Sequence, residues 1–174
     1  MEIVLVEGKL FLSKLIMGSI GYNVSHCAMR YSDPESRWIV HSSLGGVNPD
    51  WWDKFRERYA SSFRFKAKFS CADEALDAVV AKIGHKDYDY LGLIGFGIVI
   101  WLKKAGFNIK KNPLGSGNSY MCTEVIVEFF RECNLRDPSL KFKEFDSELT
   151  DPGEMLDYLK SRIDAFDFLD EAAA

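Results

Sequence analysis

The chain has no Cys-x-x-Cys pair, no apolar run long enough to cross a bilayer, no excess of basic charge and no internal repeat. Each absence removes a class of protein. The four cysteines, Cys27, Cys71, Cys122 and Cys133, fit neither a thioredoxin-like nor a zinc-ribbon pattern. A chain of 174 residues can be held by its core, which excludes a disulfide scaffold. The longest apolar run, Leu91 to Leu102, falls short of the roughly 20 residues a membrane span needs and reads as a buried helix. Its glycines, Gly92, Gly95 and Gly97, suggest close packing. The N-terminus carries Glu2 in place of a basic region, and no small-residue cleavage site follows an apolar stretch. The expected location is cytoplasmic, or outside the cell by lysis, as for a phage-encoded enzyme. Lys and Arg number 22 against 26 Asp and Glu, and the basic residues are scattered in short pairs such as Lys103–Lys104 and Lys110–Lys111. A nucleic-acid partner is therefore not expected.

What is present is aromatic and apolar substance for a core: 13 Phe, 7 Tyr and 4 Trp in a chain of single-domain length, residues 1–174. Helical spacing places a first helix at Lys9–Met17, ended by Gly18. Tyr22–Tyr31 and Arg37–Ser42 read as strands joined by the turn Ser32-Asp33-Pro34-Glu35-Ser36. Asn48-Pro49-Asp50 opens a helical stretch through Trp51, Trp52 and Phe55, the two tryptophans being core or a cleft wall. Ser62–Phe69 alternates apolar and basic residues, as a strand with one wet face does. A helix capped by Asp73 runs to Ile83, a second from Tyr88 to Lys104, and a third from Cys122. Thr150-Asp151-Pro152 starts a last helix, with Pro152 at its first position. Residues from Glu171 onward are expected to fray.

Only three histidines occur, so their placement is informative. A hairpin centred between Asp33 and Pro34 sets His26 directly opposite His41. Ala28 then pairs with Ile39 on the same face, and Cys27, Met29, Trp38 and Val40 take the other. Cys122 follows a loop rich in Gly, Ser and Asn and precedes an apolar helical run, which puts it at a helix N-terminus. Unpaired N–H groups and the positive end of the helix dipole favour a thiolate there. The same groups can bind an oxyanion formed beside the sulfur. A thiol on a helix start facing a strand histidine suits nucleophilic catalysis, with His26 as base and His41 as its orienter. A strand histidine is more often a satisfied structural residue than a catalyst, and both histidines have that reading too. Cys27, Cys71 and Cys133 read as small hydrophobes, and His85 as an exposed turn residue.

Four stretches resemble one family. Ser25-His26-Cys27-Ala28-Met29, with Trp38-Ile39-Val40-His41 and Gly45-Gly46-Val47 after it, resembles the strand pair of circularly permuted papain-like proteins. These are the YiiX-like relatives of NlpC-type peptidases and lecithin:retinol acyltransferase-like proteins. Tyr88-Asp89-Tyr90-Leu91-Gly92-Leu93 is similar to the family's helix start. Tyr120-Met121-Cys122-Thr123-Glu124-Val125 is similar to its nucleophile motif, with Thr123 in place of Ser, and the stretch from Thr150 to Leu156 to its proline-led final helix. The matches keep the permuted order, histidine before cysteine, over roughly residues 9–157.

The resemblance implies an α+β fold in which a small antiparallel sheet or half-barrel packs on the helix bearing the nucleophile. It implies Cys122 as nucleophile, His26 as base and His41 as third member, where many relatives carry Glu. A His–His pair holds the base's tautomer less firmly than a carboxylate and supplies no fixed negative charge, which predicts a weaker or more pH-sensitive base. Ser116, Asn118, Ser119 and Tyr120 are near in sequence as oxyanion donors, with no motif to choose among them. The expected activity is that of a thiol hydrolase or acyltransferase acting on a peptide, a cell-wall fragment or a lipid-type acyl substrate, without cofactor. Two other classes stand beside it. His26, His41 and Cys122 are acceptable zinc ligands with an open fourth position, and the same fold could serve as a binding module without turnover.

Overall fold

In the computed structural model, residues 1–9, 11–33, 35–43, 45–115 and 119–173 are described, residues 11, 12, 15, 60–62 and 170–173 by their backbone alone. The opening segment Glu-Ile-Val-Leu-Val is rich in β-branched residues and forms an interior strand, β1 (Glu2–Gly8). Its side chains alternate between the two sheet faces and are buried on both. After it come a helix α1 (Phe11–Ile20) and the strands β2 (His26–Arg30), β3 (Trp38–Ser43) and β4 (Gly46–Trp51). A helix α2 (Trp52–Arg58) leads into β5 (Tyr59–Ala67). The second half holds α3 (Ala72–Ile83), β6 (Asp87–Tyr88), α4 (Tyr90–Lys104), β7 (Ser119–Tyr120), α5 (Cys122–Arg136), α6 (Pro152–Ser161) and β8 (Phe166–Ala173).

The fold class is α+β. Six strands form one antiparallel sheet in the order β4-β3-β2-β1-β5-β8, and β6 and β7 pair separately in parallel. One face, with Ile3, Leu5, Cys27, Met29, Val40 and Phe65, packs with α3, α5 and α6 into the main core. The other, with Val4, Val6, Ala28 and Ile39, is closed by Phe55 of α2. Phe129 and Phe130 of α5 and Phe142 and Phe166 make the centre of the main core an aromatic cluster. Among the described residues no helix is long and apolar enough to cross a membrane.

Several expectations are corrected. The first helix runs to Ile20, so Gly18 lies inside it and the turn falls at Gly21, whose φ of 80° suits glycine. Asn48, Pro49 and Asp50 are not helical: they belong to β4, an edge strand, where a proline without an N–H is tolerated. Asp73 lies in the first turn of α3, with Cys71 at the cap position. The segment expected to fray pairs with β5 as β8, the register reaching Ser61↔Ala173. The hairpin register is Ala28↔His41 and Arg30↔Ile39, two residues away from the expected pairing. A shift of two keeps every side chain on its face, so both histidines still share one face while Cys27 takes the other. Finally, α4 is not a core helix, for its outer face is exposed at Leu91, Ile94, Ile98 and Trp101.

Candidate functional site

Cys122 is the first residue of α5, at the positive end of that helix, and is 8% exposed. Three links fix its position. The Ser42 hydroxyl of β3 donates to the Tyr120 carbonyl, just before the cysteine. Tyr88 and Tyr120 pair across the short parallel sheet. The Met121 N–H donates to the Glu124 carboxyl at 2.6 Å, closing the start of the helix.

The structure brings His26, His41 and Cys122 together. His26 Nε2 and His41 Nδ1 are 2.9 Å apart, and the rings meet edge to face with centroids 5.1 Å apart. They are diagonal neighbours across β2 and β3, which long or aromatic side chains can bridge. With Nε2 engaged by His41, Nδ1 of His26 is the nitrogen left for the Cys122 thiol, to which His26 is hydrogen-bonded. Tyr59 stacks flat on His26 at 5.4 Å, and Phe55 packs edge-on against His41 at 5.1 Å.

Two residues that sequence reasoning assigned elsewhere take part. Cys27, expected to be an inert hydrophobe, hydrogen-bonds through its side chain to the Cys122 sulfur from the opposite sheet face. Asp50, expected in a helix, places a carboxylate oxygen 3.7 Å from His41 Nε2 and is itself paired with Arg58. A fixed negative charge therefore does stand behind the histidine pair, contrary to the expectation from sequence. The signal available was the spacing: in an edge strand Asp50 lies beside Ile39, two residues from His41.

The electrostatics follow from these contacts. The Cys122 thiol is held well below its ordinary range, first by the hydrogen bond from Cys27, then by the charge of His26 and its hydrogen bond, against the effect of burial. Cys27 is pushed up by burial and by its bond to Cys122, so the negative charge belongs to the sulfur at the helix start. Burial and the charge of His26 lower His41 to about 3, with Asp50 opposing them, so His41 is neutral at ordinary pH. Its Nδ1 accepts from His26 Nε2–H while Nε2–H faces Asp50. For Asp50 partial burial acts upward, but the Trp51 N–H and Arg58 outweigh it and keep the carboxyl low. Burial raises the phenols of Tyr59 and Tyr88, and negative charge at Cys122 raises both further.

The remaining candidates separate. Ser116 and Asn118 lie outside the described residues. Ser119 and Tyr120 lie on β7 immediately before the helix. His85 is exposed, with Nδ1 3.2 Å from Asn48 Oδ1. Cys133 is fully buried and Cys71 half-buried. Of the two tryptophans, Trp52 packs on Phe55 beside the smaller core, while Trp51 is not core: it stacks on Trp38 at 4.2 Å, and both of that pair are exposed. His26 and His41 each spend a nitrogen on the other, and no group of three metal-ligating side chains converges among the described residues. No family model matches the chain, and no curated protein matches its sequence.

Proposed function

We propose that the protein is a thiol hydrolase or acyltransferase of the permuted papain-like type, with Cys122 as nucleophile, His26 as base and His41, backed by Asp50, as orienter. The observation that carries this reading is the continuous line of side chains from Cys122 through His26 and His41 to Asp50. In the proposed reaction the Cys122 sulfur attacks the carbonyl carbon of an amide or ester, forming a carbon–sulfur bond and a tetrahedral oxyanion. First-turn N–H groups of α5, which have no acceptor within the helix, face that oxyanion. As the intermediate collapses, His26 gives its Nδ1 proton to the leaving amine or alcohol, and a thioester remains on Cys122. Water, or an acceptor alcohol or amine, then loses a proton to His26 and attacks the thioester, which restores the thiolate and imidazolium.

His41 contributes by accepting from His26 Nε2–H, which keeps Nδ1 directed at the sulfur. Asp50 favours the neutral His41 tautomer that carries its proton on Nε2. The substrate is an acyl compound: a peptide, a cell-wall fragment or a lipid-type ester or amide. The test is alkylation by iodoacetamide across pH, with mass mapping, in wild type and His26→Ala. Selective labelling of Cys122 at pH 6 that the substitution abolishes is the expected result. Labelling of Cys122 no faster than that of an ordinary thiol with a pKa of about 8.5 would overturn the reading. With a p-nitrophenyl ester, a mass increase by one acyl group at Cys122 should accompany release of the phenol.

A further inference from the structure

The proposed reaction uses one thiol, yet a second one touches it. Cys122 takes two contacts from a single residue, its sulfur accepting from both the side chain and the backbone N–H of Cys27. That N–H is free for the sulfur because Cys27 lies just before the β2–β3 ladder, whose first pair is Ala28↔His41. The frame around the two sulfurs is fixed. Cys27 is paired with Leu5 in the interior of the sheet, and the Ser42 hydroxyl holds the Tyr120 carbonyl ahead of the helix that begins at Cys122. Contact with the backbone as well as the side chain of Cys27 keeps the two residues close along their whole length, as the short Cβ separation of a disulfide requires.

A thiol is a weak donor, and a hydroxyl in the same place would donate more strongly to a thiolate. What sulfur offers beyond a hydroxyl is its own bond-forming chemistry. Exposure divides the labour between the pair. Cys122 is 8% exposed and Cys27 1%, so a small oxidant meets Cys122 first and Cys27 waits behind it. The other two cysteines are out of reach of that sulfur: Cys133 lies about 16 Å further along α5, and Cys71 has Cys133 as its neighbouring thiol.

We propose that Cys27 is the resolving thiol of Cys122, so that a hydroperoxide converts the pair into an intramolecular disulfide that silences the site reversibly. The Cys122 thiolate attacks one oxygen of the peroxide; an S–O bond forms, the O–O bond breaks, and the departing alkoxide or hydroxide takes a proton from His26. Sulfur is oxidised to a sulfenic acid and the peroxide is reduced to an alcohol or water. The Cys27 sulfur then attacks the Cys122 sulfur, the S–S bond forms and the S–O bond breaks. Hydroxide leaves with the Cys27 proton as water. A dithiol returns both cysteines to thiols by exchange, and capture by Cys27 keeps Cys122 from the irreversible sulfinic and sulfonic acids. The proposal rests on the reading of Cys122 as an activated thiol, and not on acyl transfer.

The test treats the whole reduced protein with hydrogen peroxide and maps the cysteines by mass spectrometry without reduction. The expected product is lighter by two hydrogens, with the peptides of Cys27 and Cys122 joined. Labelling of Cys122 by iodoacetamide should be lost in that product and return fully in dithiothreitol. In Cys27→Ala, given longer exposure because its thiol reacts more slowly, Cys122 should gain two or three oxygens that dithiothreitol does not remove. Unchanged circular dichroism would show that the variant folds, and the wild-type map stands without it. Iodoacetamide labelling of the reduced protein at pH 6 keeps the two readings apart. Cys122 that labels there but yields only sulfinic or sulfonic acid, a bond to a second chain, or a Cys71–Cys133 bridge in place of its own overturns this proposal and spares the catalytic one. Cys122 that labels only as an ordinary thiol overturns both.

Discussion

Helices α4 and α5 are both fifteen residues long, and they have opposite relations to their surroundings. The first nine residues of α5, Cys122 to Phe130, are all buried, although Thr123, Glu124 and Glu128 are among them. Between its two terminal residue types, Tyr and Lys, α4 has only apolar residues and glycine, yet one whole side of it is exposed. Apolar content therefore does not set burial in this molecule. What sets it is the partner each helix has: α5 packs with the sheet and α3 into the main core, whereas α4 is exposed at Leu91, Ile94, Ile98 and Trp101. Polar groups are drawn into the interior where they have partners: Glu124 accepts from the Met121 N–H at the helix start, and Glu128 pairs with Lys82 and Arg131.

The sharpest test of this contrast is stability. Phe129→Ala in α5 should cost about 3–5 kcal/mol in urea unfolding, the range for emptying a packed aromatic site. Ile94→Ala in α4 should change it by no more than about 0.5 kcal/mol. A large loss at Ile94 would mean that the outer face of α4 is covered after all.

Glu124 gives a pH-dependent form of the same contrast. Burial pushes its carboxyl from 4.5 up to about 8, against the Met121 N–H, with negative charge at Asp89 and Glu148 adding to the rise. An acid whose folded-state pKa is raised keeps a proton that the unfolded chain has released. Its contribution is complete below about pH 4.5 and is lost as pH climbs through 8. Glu124→Gln should leave stability near that of wild type at pH 4.5 and raise it by roughly 3 kcal/mol above pH 8, at about 1.4 kcal/mol per unit discounted for relaxation. Urea titrations at the two pH values decide it.

Smaller effects are expected around the sulfur. Cys27→Ala removes the leading hydrogen bond to the Cys122 thiolate and should slow alkylation at pH 6 roughly tenfold, the size of one hydrogen bond to a charged group. An unchanged profile would leave the helix start and His26 as sufficient causes. Asp50→Asn should act more weakly, by a few-fold on acylation rate, because it works through His41 at 3.7 Å. Its mark is a changed pH profile with substrate affinity unmoved.

Much of the site was legible in residue patterns, and the physical reason is periodicity. His26 and His41 fell on one face under either hairpin register, since a two-residue shift preserves face. Cys122 at a helix start followed from a polar loop ahead of an apolar helical run. Asp50 was hidden because Asn-Pro-Asp reads as a helix opening, and only pairing with β3 made it a strand. Cys27 was hidden because strand alternation says which face a side chain takes, and nothing about what waits at the strand's end. The outer face of α4 was illegible for a different reason. A helix apolar all round reads as buried from its own residues, and exposure depends on elements far away in the chain.

One feature of β2 has a bearing on quality control. His26 and Cys27 are consecutive and point to opposite faces, yet both reach the same sulfur, because Cys122 meets the strand where it begins. A slip of one residue in the β1–β2 ladder would exchange them, offering sulfur where imidazole belongs and imidazole to the main core. Chains that have not assembled that ladder correctly carry only ordinary thiols. The reactivity proposed for Cys122 would thus be licensed by completed folding, and a single alkylation measurement would count the fraction of molecules in which two cores and one helix have come into mutual alignment.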